Sequence, residues 1–140
     1  METITDTFVL VAPDCPVTAA VVPVAKGANP AVHVIQYELL TARPYRLTLE
    51  DLIFETHLLR AGIARAEAKR RAAGIRAELF RKPHACMRAS ALPKRYGWGV
   101  HYDSAGRLAL YAMESDEYRG FAAGAVKGVK VVAALRSKRA

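Results

Sequence analysis

The stretch that most constrains this chain runs from residue 96 to residue 113. Tyr96–Asp103 (YGWGVHYD) and Arg107–Met113 (RLALYAM) are short runs rich in aromatic and branched side chains. They are joined through Asp103-Ser104-Ala105-Gly106, a link suited to a type I turn closed by a left-handed glycine. This predicts a β-hairpin. Side chains alternate across a strand, so Tyr96, Trp98, Val100 and Tyr102 share one face and His101 lies on the other. Near the start of the chain, Thr7–Ala12 (TFVLVA), bounded by Asp6 and Pro13, predicts a further strand.

The remaining segments read mostly as helices. Asn29-Pro30 resembles an N-cap followed by proline in the first turn, predicting a helix over Ala31–Ala42 that stops at Pro44. Its two apolar faces suggest burial between layers. Thr48-x-x-Asp51 is a capping-box variant opening a second helix, which Gly62 ends. Leu49, Leu52, Ile53, Thr56 and Leu59 form its core face. Phe54 and Leu58 lie opposite and predict a second contact, such as that of a homodimer. Ala64–Lys82 predicts the longest helix, with an apolar stripe of Ala68, Ala72, Ile75 and Leu79 and a place for a kink at Gly74. Glu67–Arg71 and Glu78–Lys82 are supporting i,i+4 pairs. Ser115 caps a helix to about Ala125, with Asp116 and Glu117 in its first turn. Val129–Leu135 continues as a helical piece. Asp14–Gly27 reads as irregular, with Val17–Val22 an edge-strand candidate, and Lys82–Lys94 as a loop or short strand. Together these predict an α+β fold, a small antiparallel sheet of the N-terminal strand and the 96–113 hairpin packed by four to five helices.

At 140 residues the chain suits one domain, spanning 1–140, and its 52% hydrophobic content excludes a disordered one. No apolar run approaches the roughly 18 residues of a membrane helix. The first residues lack the basic stretch and long apolar run of a secretory signal. Two cysteines, Cys15 and Cys86, make no disulfide framework and read as reduced thiols, so a cytoplasmic setting is expected. The 21 Lys and Arg exceed the 13 Asp and Glu by 8, and a net charge of +8 favours anionic partners.

The densest polar and aromatic run is Cys86–His101 (CMRASALPKRYGWGVH). Arg88, Lys94 and Arg95 would hold an anion, and Tyr96 and Trp98 would stack on a ring. Gly97 and Gly99 allow another group to come close to the tryptophan. This run predicts a binding module for a small anionic aromatic ligand, nucleotide-like in chemistry. The competing reading fills the interior with Tyr96 and Trp98 and leaves Lys94 and Arg95 in water. An enzymatic alternative uses Cys86 as nucleophile with His101 and Glu114 as acid–base partners. A third alternative is nucleic-acid binding through Arg65, Lys69 and Arg76, within about 40° of one another on a helical wheel, together with the tail Arg136, Lys138 and Arg139. No nucleic-acid-binding signature accompanies them. No metal site is predicted: His33, His57, His84 and His101 show no i,i+3 or i,i+4 pairing, and no CxxC or HExxH occurs. Phosphate-loop and dinucleotide glycine motifs are absent as well, so no cofactor is expected.

The blocks DCPVT (Asp14–Thr18), QYELL (Gln36–Leu40), Pro44-Tyr45, RAS (Arg88–Ser90), KRYGWGVH (Lys94–His101), LALY (Leu108–Tyr111), ES-x-x-Y (Glu114–Tyr118) and LRSKRA (Leu135–Ala140) form a spaced pattern. The pattern resembles a family of small bacterial single-domain proteins known only as a domain of unknown function. The resemblance spans nearly the whole chain and implies no activity, cofactor or catalytic residue. Members carry a glycine-containing stretch before the second cysteine, where this chain reads Arg81–Ala85 (RKPHA).

Overall fold

The computed structural model describes residues 3–138, so Arg139 of the basic tail lies outside the described residues. Four strands form one sheet: β1 (Thr7–Leu10), β2 (Trp98–Tyr102), β3 (Leu108–Ala112) and β4 (Lys130–Ala133), in the order β3-β2-β1-β4. The hairpin β2–β3 forms in the expected register, with Val100 opposite Leu110, and Gly106 closes its turn at φ +78°. β1 pairs antiparallel with β2, placing Phe8 opposite His101.

The fold is α+β as expected, but the sheet gains a parallel edge that the sequence reading lacked. Val129–Leu135 is not helical: Lys130–Ala133 runs parallel to β1, with Thr7 opposite Lys130 and Leu10 opposite Ala133. Its β-branched residues fit a half-buried pleated edge better than a helix. Gly128, at φ +79°, makes the preceding turn.

Five helices accompany the sheet: α1 (Val32–Ala42), α2 (Leu49–Ala61), α3 (Arg65–Leu79), α4 (Ala91–Arg95) and α5 (Asp116–Ala122). The capping box of α2 is present, Thr48 and Asp51 each accepting the other's backbone N–H, and Gly62 ends the helix in a left-handed conformation. Ser115 caps α5 by accepting the Tyr118 N–H. At α1 the cap differs from expectation. Ala31 occupies the N-cap, without a side-chain hydrogen bond, and Asn29 lies outside the helix. Lys82–Lys94 is neither loop nor strand throughout: a 3-10 turn (Met87–Ala89) leads into α4, which Ser90 caps through the Leu92 N–H. The irregularity in α3 falls at Arg71 (φ −111°, ψ 15°) instead of Gly74.

The main core lies on the sheet face bearing Val9, Val100, Tyr102 and Leu108, which meets Ile35, Leu39, Leu40, Leu52, Met87 and Leu92 from the helical layer. The opposite face carries Phe8, His101 and Tyr111 and is covered by α5, whose Phe121 stacks on Phe8 at 4.3 Å. The Phe54–Leu58 pair of α2, expected to meet another subunit, is instead covered within the chain. These residues are 6% and 8% exposed and pack against Ala68 and Ile75 of α3. Leu59, expected in the core, is 59% exposed. Residues 14–27 form no strand but a strap held by single hydrogen bonds. Among the described residues, no helix is long and apolar enough to cross a membrane.

Candidate functional site

The tryptophan run is largely occupied with its own chain. Trp98 packs at the margin of the main core, its ring 5.2 Å from that of Tyr37, and its indole N–H donates to the Val21 carbonyl at 2.8 Å. The Val21 N–H in turn donates to the Tyr96 carbonyl. Glycines beside this tryptophan do admit close neighbours, and those neighbours are intramolecular. A β-carbon at Gly97 would lie 3.1 Å from the Ala20 Cα, and one at Gly99 would lie 2.6 Å from the Phe8 ring. Arg88 donates its Nε–H to the Ala133 carbonyl at 2.8 Å and accepts the Leu135 N–H, tying down the end of β4. Lys94 and Arg95 end α4, where cations suit the helix dipole.

The proposed acid–base set is not brought together. Cys86 packs against the helix-covered core on one side of the sheet, whereas His101 projects from the other. Glu114, beyond the end of β3, accepts the Ala20 N–H at 3.0 Å. Cys15 and Cys86 are both free thiols. Of the basic side chains, Arg76 is engaged, bonding Asp51 at 3.0 Å and Glu50 at 3.4 Å. At the tail it is the backbone N–H groups of Ser137 and Lys138 that donate to the Asp14 carboxylate. That hydrogen bonding, led by Lys138, holds the Asp14 carboxyl below the usual range.

His101 belongs to a polar chain under α5. The Tyr45 hydroxyl lies 2.9 Å from His101 Nδ1 and 2.6 Å from the Tyr111 hydroxyl. Burial lowers the His101 pKa, opposed by Asp103 and Asp6, so the neutral ring is favoured. The Tyr45 hydroxyl thus bridges the imidazole and the Tyr111 hydroxyl. Burial first, and Tyr111 second, push the Tyr45 hydroxyl well above its ordinary range. Tyr45 holds its place with a left-handed backbone (φ +59°), and its N–H donates to the Leu108 carbonyl at 2.8 Å.

A cleft of ≈ 440 Å³ opens elsewhere, between α1, α2, the end of α3 and residues 84–91. That volume is within the range of about 300–1,000 Å³ usual for small-molecule sites. α2 contributes Ile53, Thr56, His57 and Arg60. Their i, i+3, i+4, i+7 spacing places them along one side of the helix. α1 contributes His33 and Gln36, and the 84–91 segment contributes His84, Cys86 and Ser90. The hydrogen bonding of four of these residues is set by their surroundings. Thr56 is 7% exposed, and its hydroxyl is the only buried side-chain polar atom without a partner among the described residues. Ser90 accepts the Leu92 N–H and donates to Gln36 Oε1 at 2.7 Å, which uses the acceptor end of that amide and leaves its N–H₂ as donor. His84 donates its Nε2–H to the Leu79 carbonyl at 2.8 Å, pinning the segment to the end of α3. His33 stacks on Tyr96 at 4.8 Å, and burial lowers its pKa. Among the described residues, no Asp or Glu lines the cleft. Among the described residues, no group of His, Cys, Asp and Glu is arranged to hold a metal ion.

Of the eight residues singled out from sequence, only Cys86 lines this cleft, with Tyr96 one ring behind it. The sequence reading missed His33, Gln36, Thr56, His57 and Arg60. The signal present in the sequence is the polar Thr56-His57-Arg60 stripe beside Ile53, of which the sequence reading assigns a face only to Ile53 and Thr56, the core face.

A protein-family model described as "Family of unknown function (DUF6157)" matches residues 2–140. The comparisons with curated proteins and with solved structures returned no match.

Proposed function

The chain belongs to that family of unknown function, so its activity must be argued from its own residues, and we propose that it binds a small organic anion in the cleft between α1, α2 and residues 84–91. One observation carries this reading: polar side chains from three separate segments (Gln36, Thr56, Arg60 and the three histidines) line one cavity to which, among the described residues, no carboxylate contributes. A site of that composition favours negative charge. Arg60 supplies a planar fork for a carboxylate, sulfonate or phosphate. Val32, Ile53, Leu79 and the three alanines 85, 89 and 91 give an apolar wall for the body of the ligand. The net charge of +8 favours encounter with such a molecule. The anionic ligand expected from the Cys86–His101 run is thus retained, but its seat moves to the start of that run and across to α2.

Thermal-shift and calorimetric titration with aryl carboxylates, aryl sulfonates, inorganic phosphate and nucleotides tests the reading. A ligand at about 100 times its Kd should stabilise the protein by roughly 2.7 kcal/mol, and Arg60→Ala should weaken it. Absence of stabilisation by every anion, or unchanged affinity in Arg60→Ala, would sink the proposal.

A second reading rests on Cys86, whose residue shares the cleft with three histidines. In an enzyme of this kind the thiolate would attack an electrophilic substrate after an imidazole takes its proton. Iodoacetamide labelling in a Cys15→Ser background tests it. Cleft ligands should slow the reaction, and a Cys86 that resists labelling would exclude the thiol as nucleophile.

A further inference from the structure

We infer that the cleft takes up its anion together with protons, its histidines being the acceptors, so that affinity rises as pH falls through the imidazole range. The inference rests on the reading of the cleft as an anion site and specifies how that site is regulated.

The argument begins with what faces the histidines. α1 places His33 in the wall, α2 places His57 and Arg60, and the 84–91 segment places His84 and Cys86; the end of α3 contributes the uncharged Leu79. Tyr96, at the end of α4, stacks on His33. The charged and titratable groups lining the empty cleft are therefore cationic, potentially cationic, or a thiol. None is a carboxylate that would favour imidazolium. Burial of His33 disfavours a positive charge on its ring.

An anion reverses this balance. It supplies the missing countercharge at short range, where a partly desolvated site screens little. An imidazole that is neutral in the free protein then gains a proton in the complex. His84 is set up for this: its Nε2–H is committed to the Leu79 carbonyl, leaving Nδ1 as the basic nitrogen. Proton linkage then gives the expected size. Each proton taken up tightens binding by about tenfold per pH unit, between the pKa of the free imidazole and that of the bound one.

The probe is benzenesulfonate, an aryl anion fully ionised throughout the imidazole range, so any proton exchanged belongs to the protein. Calorimetry near neutral pH in buffers of different ionisation enthalpy should give an observed binding enthalpy that varies with the buffer, in the direction of proton uptake. The Kd should fall as the pH is lowered from about 8 to about 6. His33→Gln, His57→Gln and His84→Gln, measured separately, should together account for the uptake, each lowering it or leaving it unchanged. Arg60→Lys should weaken binding while the pH dependence survives. Buffer-independent enthalpy with a pH-independent Kd would overturn proton coupling and leave the anion site standing. Failure of benzenesulfonate, benzoate and sulfate to bind at any of these pH values would overturn the anion site, and the coupling with it.

Discussion

Gly99→Ala adds one methyl group at the centre of β2, and its consequence can be worked out from the neighbours. The new carbon would lie 2.6 Å from Phe8 Cζ and 2.7 Å from Tyr118 Cδ2 and Cε2. Neither ring is free to retreat. Phe8 is 0% exposed and stacked at 4.3 Å on Phe121. Tyr118 is held by its hydroxyl, which accepts the Val11 N–H at 2.9 Å. Overpacking of this kind costs about 1–3 kcal/mol, and loss of the Tyr118 hydrogen bond adds about 1 kcal/mol. Against this, alanine narrows the unfolded ensemble and returns about 0.4–1 kcal/mol. The net expectation is a destabilisation of about 1–3.6 kcal/mol. Urea unfolding followed by the fluorescence of the single tryptophan, Trp98, reads it directly. With a slope of roughly 1–3 kcal/mol per molar urea, the midpoint should fall by about 1 M. Gly120→Ala in α5 is the control, because a β-carbon there meets nothing within 4 Å. It should be neutral or stabilising by up to about 1 kcal/mol. A Gly99→Ala protein as stable as the parent would refute the packing argument, since no alternative space is available to that methyl.

Two further outcomes follow from side chains outside the cleft. Arg76 bonds Glu50 and Asp51 while its guanidinium lies 4.1 Å from the centre of the Phe54 ring. Arg76→Met keeps most of the stem and removes the charge, so it should destabilise by about 1–2 kcal/mol at low salt, and by less at high salt when denaturation midpoints are compared. His33 and His101 both have pKa values lowered by burial, so the folded state favours their neutral forms. The stability this represents is present above the unfolded histidine pKa of about 6.5 and is lost as pH falls through the lower folded values. Denaturation midpoints measured from neutral to mildly acidic pH should decline, and His101→Gln should flatten part of that decline; an unchanged profile would remove His101 as a contributor.

Elements fixed by neighbouring residues were legible in the sequence. The Thr48–Asp51 capping box, the Ser115 cap, Gly62 and the Gly106 turn each depend on a few adjacent positions, and each appears where expected. Elements fixed by distant partners were not. Val129–Leu135 carries apolar residues compatible with either period, and only the free edge of β1 decides that it is a strand. Phe54 and Leu58 were correctly separated from the other face of α2, but their partner is α3, and sequence spacing cannot distinguish a neighbouring helix from a neighbouring subunit.

The same limit explains why the search for a site centred on Trp98. Glycines beside an aromatic ring report that some atom must approach closely, without saying whose. Here the approaching atoms belong to Phe8, Tyr118, Ala20, Val17 and Met113. The arginine and the indole nearby are likewise engaged by the backbone of β4 and of the 14–27 strap. A better discriminator is whether a polar group already has a partner. Trp98, Arg88 and Glu114 have theirs, whereas the Thr56 hydroxyl, inside a helix and away from water, does not. An unpaired buried hydroxyl is destabilising by about 1–3 kcal/mol. Thr56→Val, of nearly the same shape, should therefore stabilise the protein, raising its urea midpoint. A loss of stability would instead place Thr56 among the residues that hold α2 together.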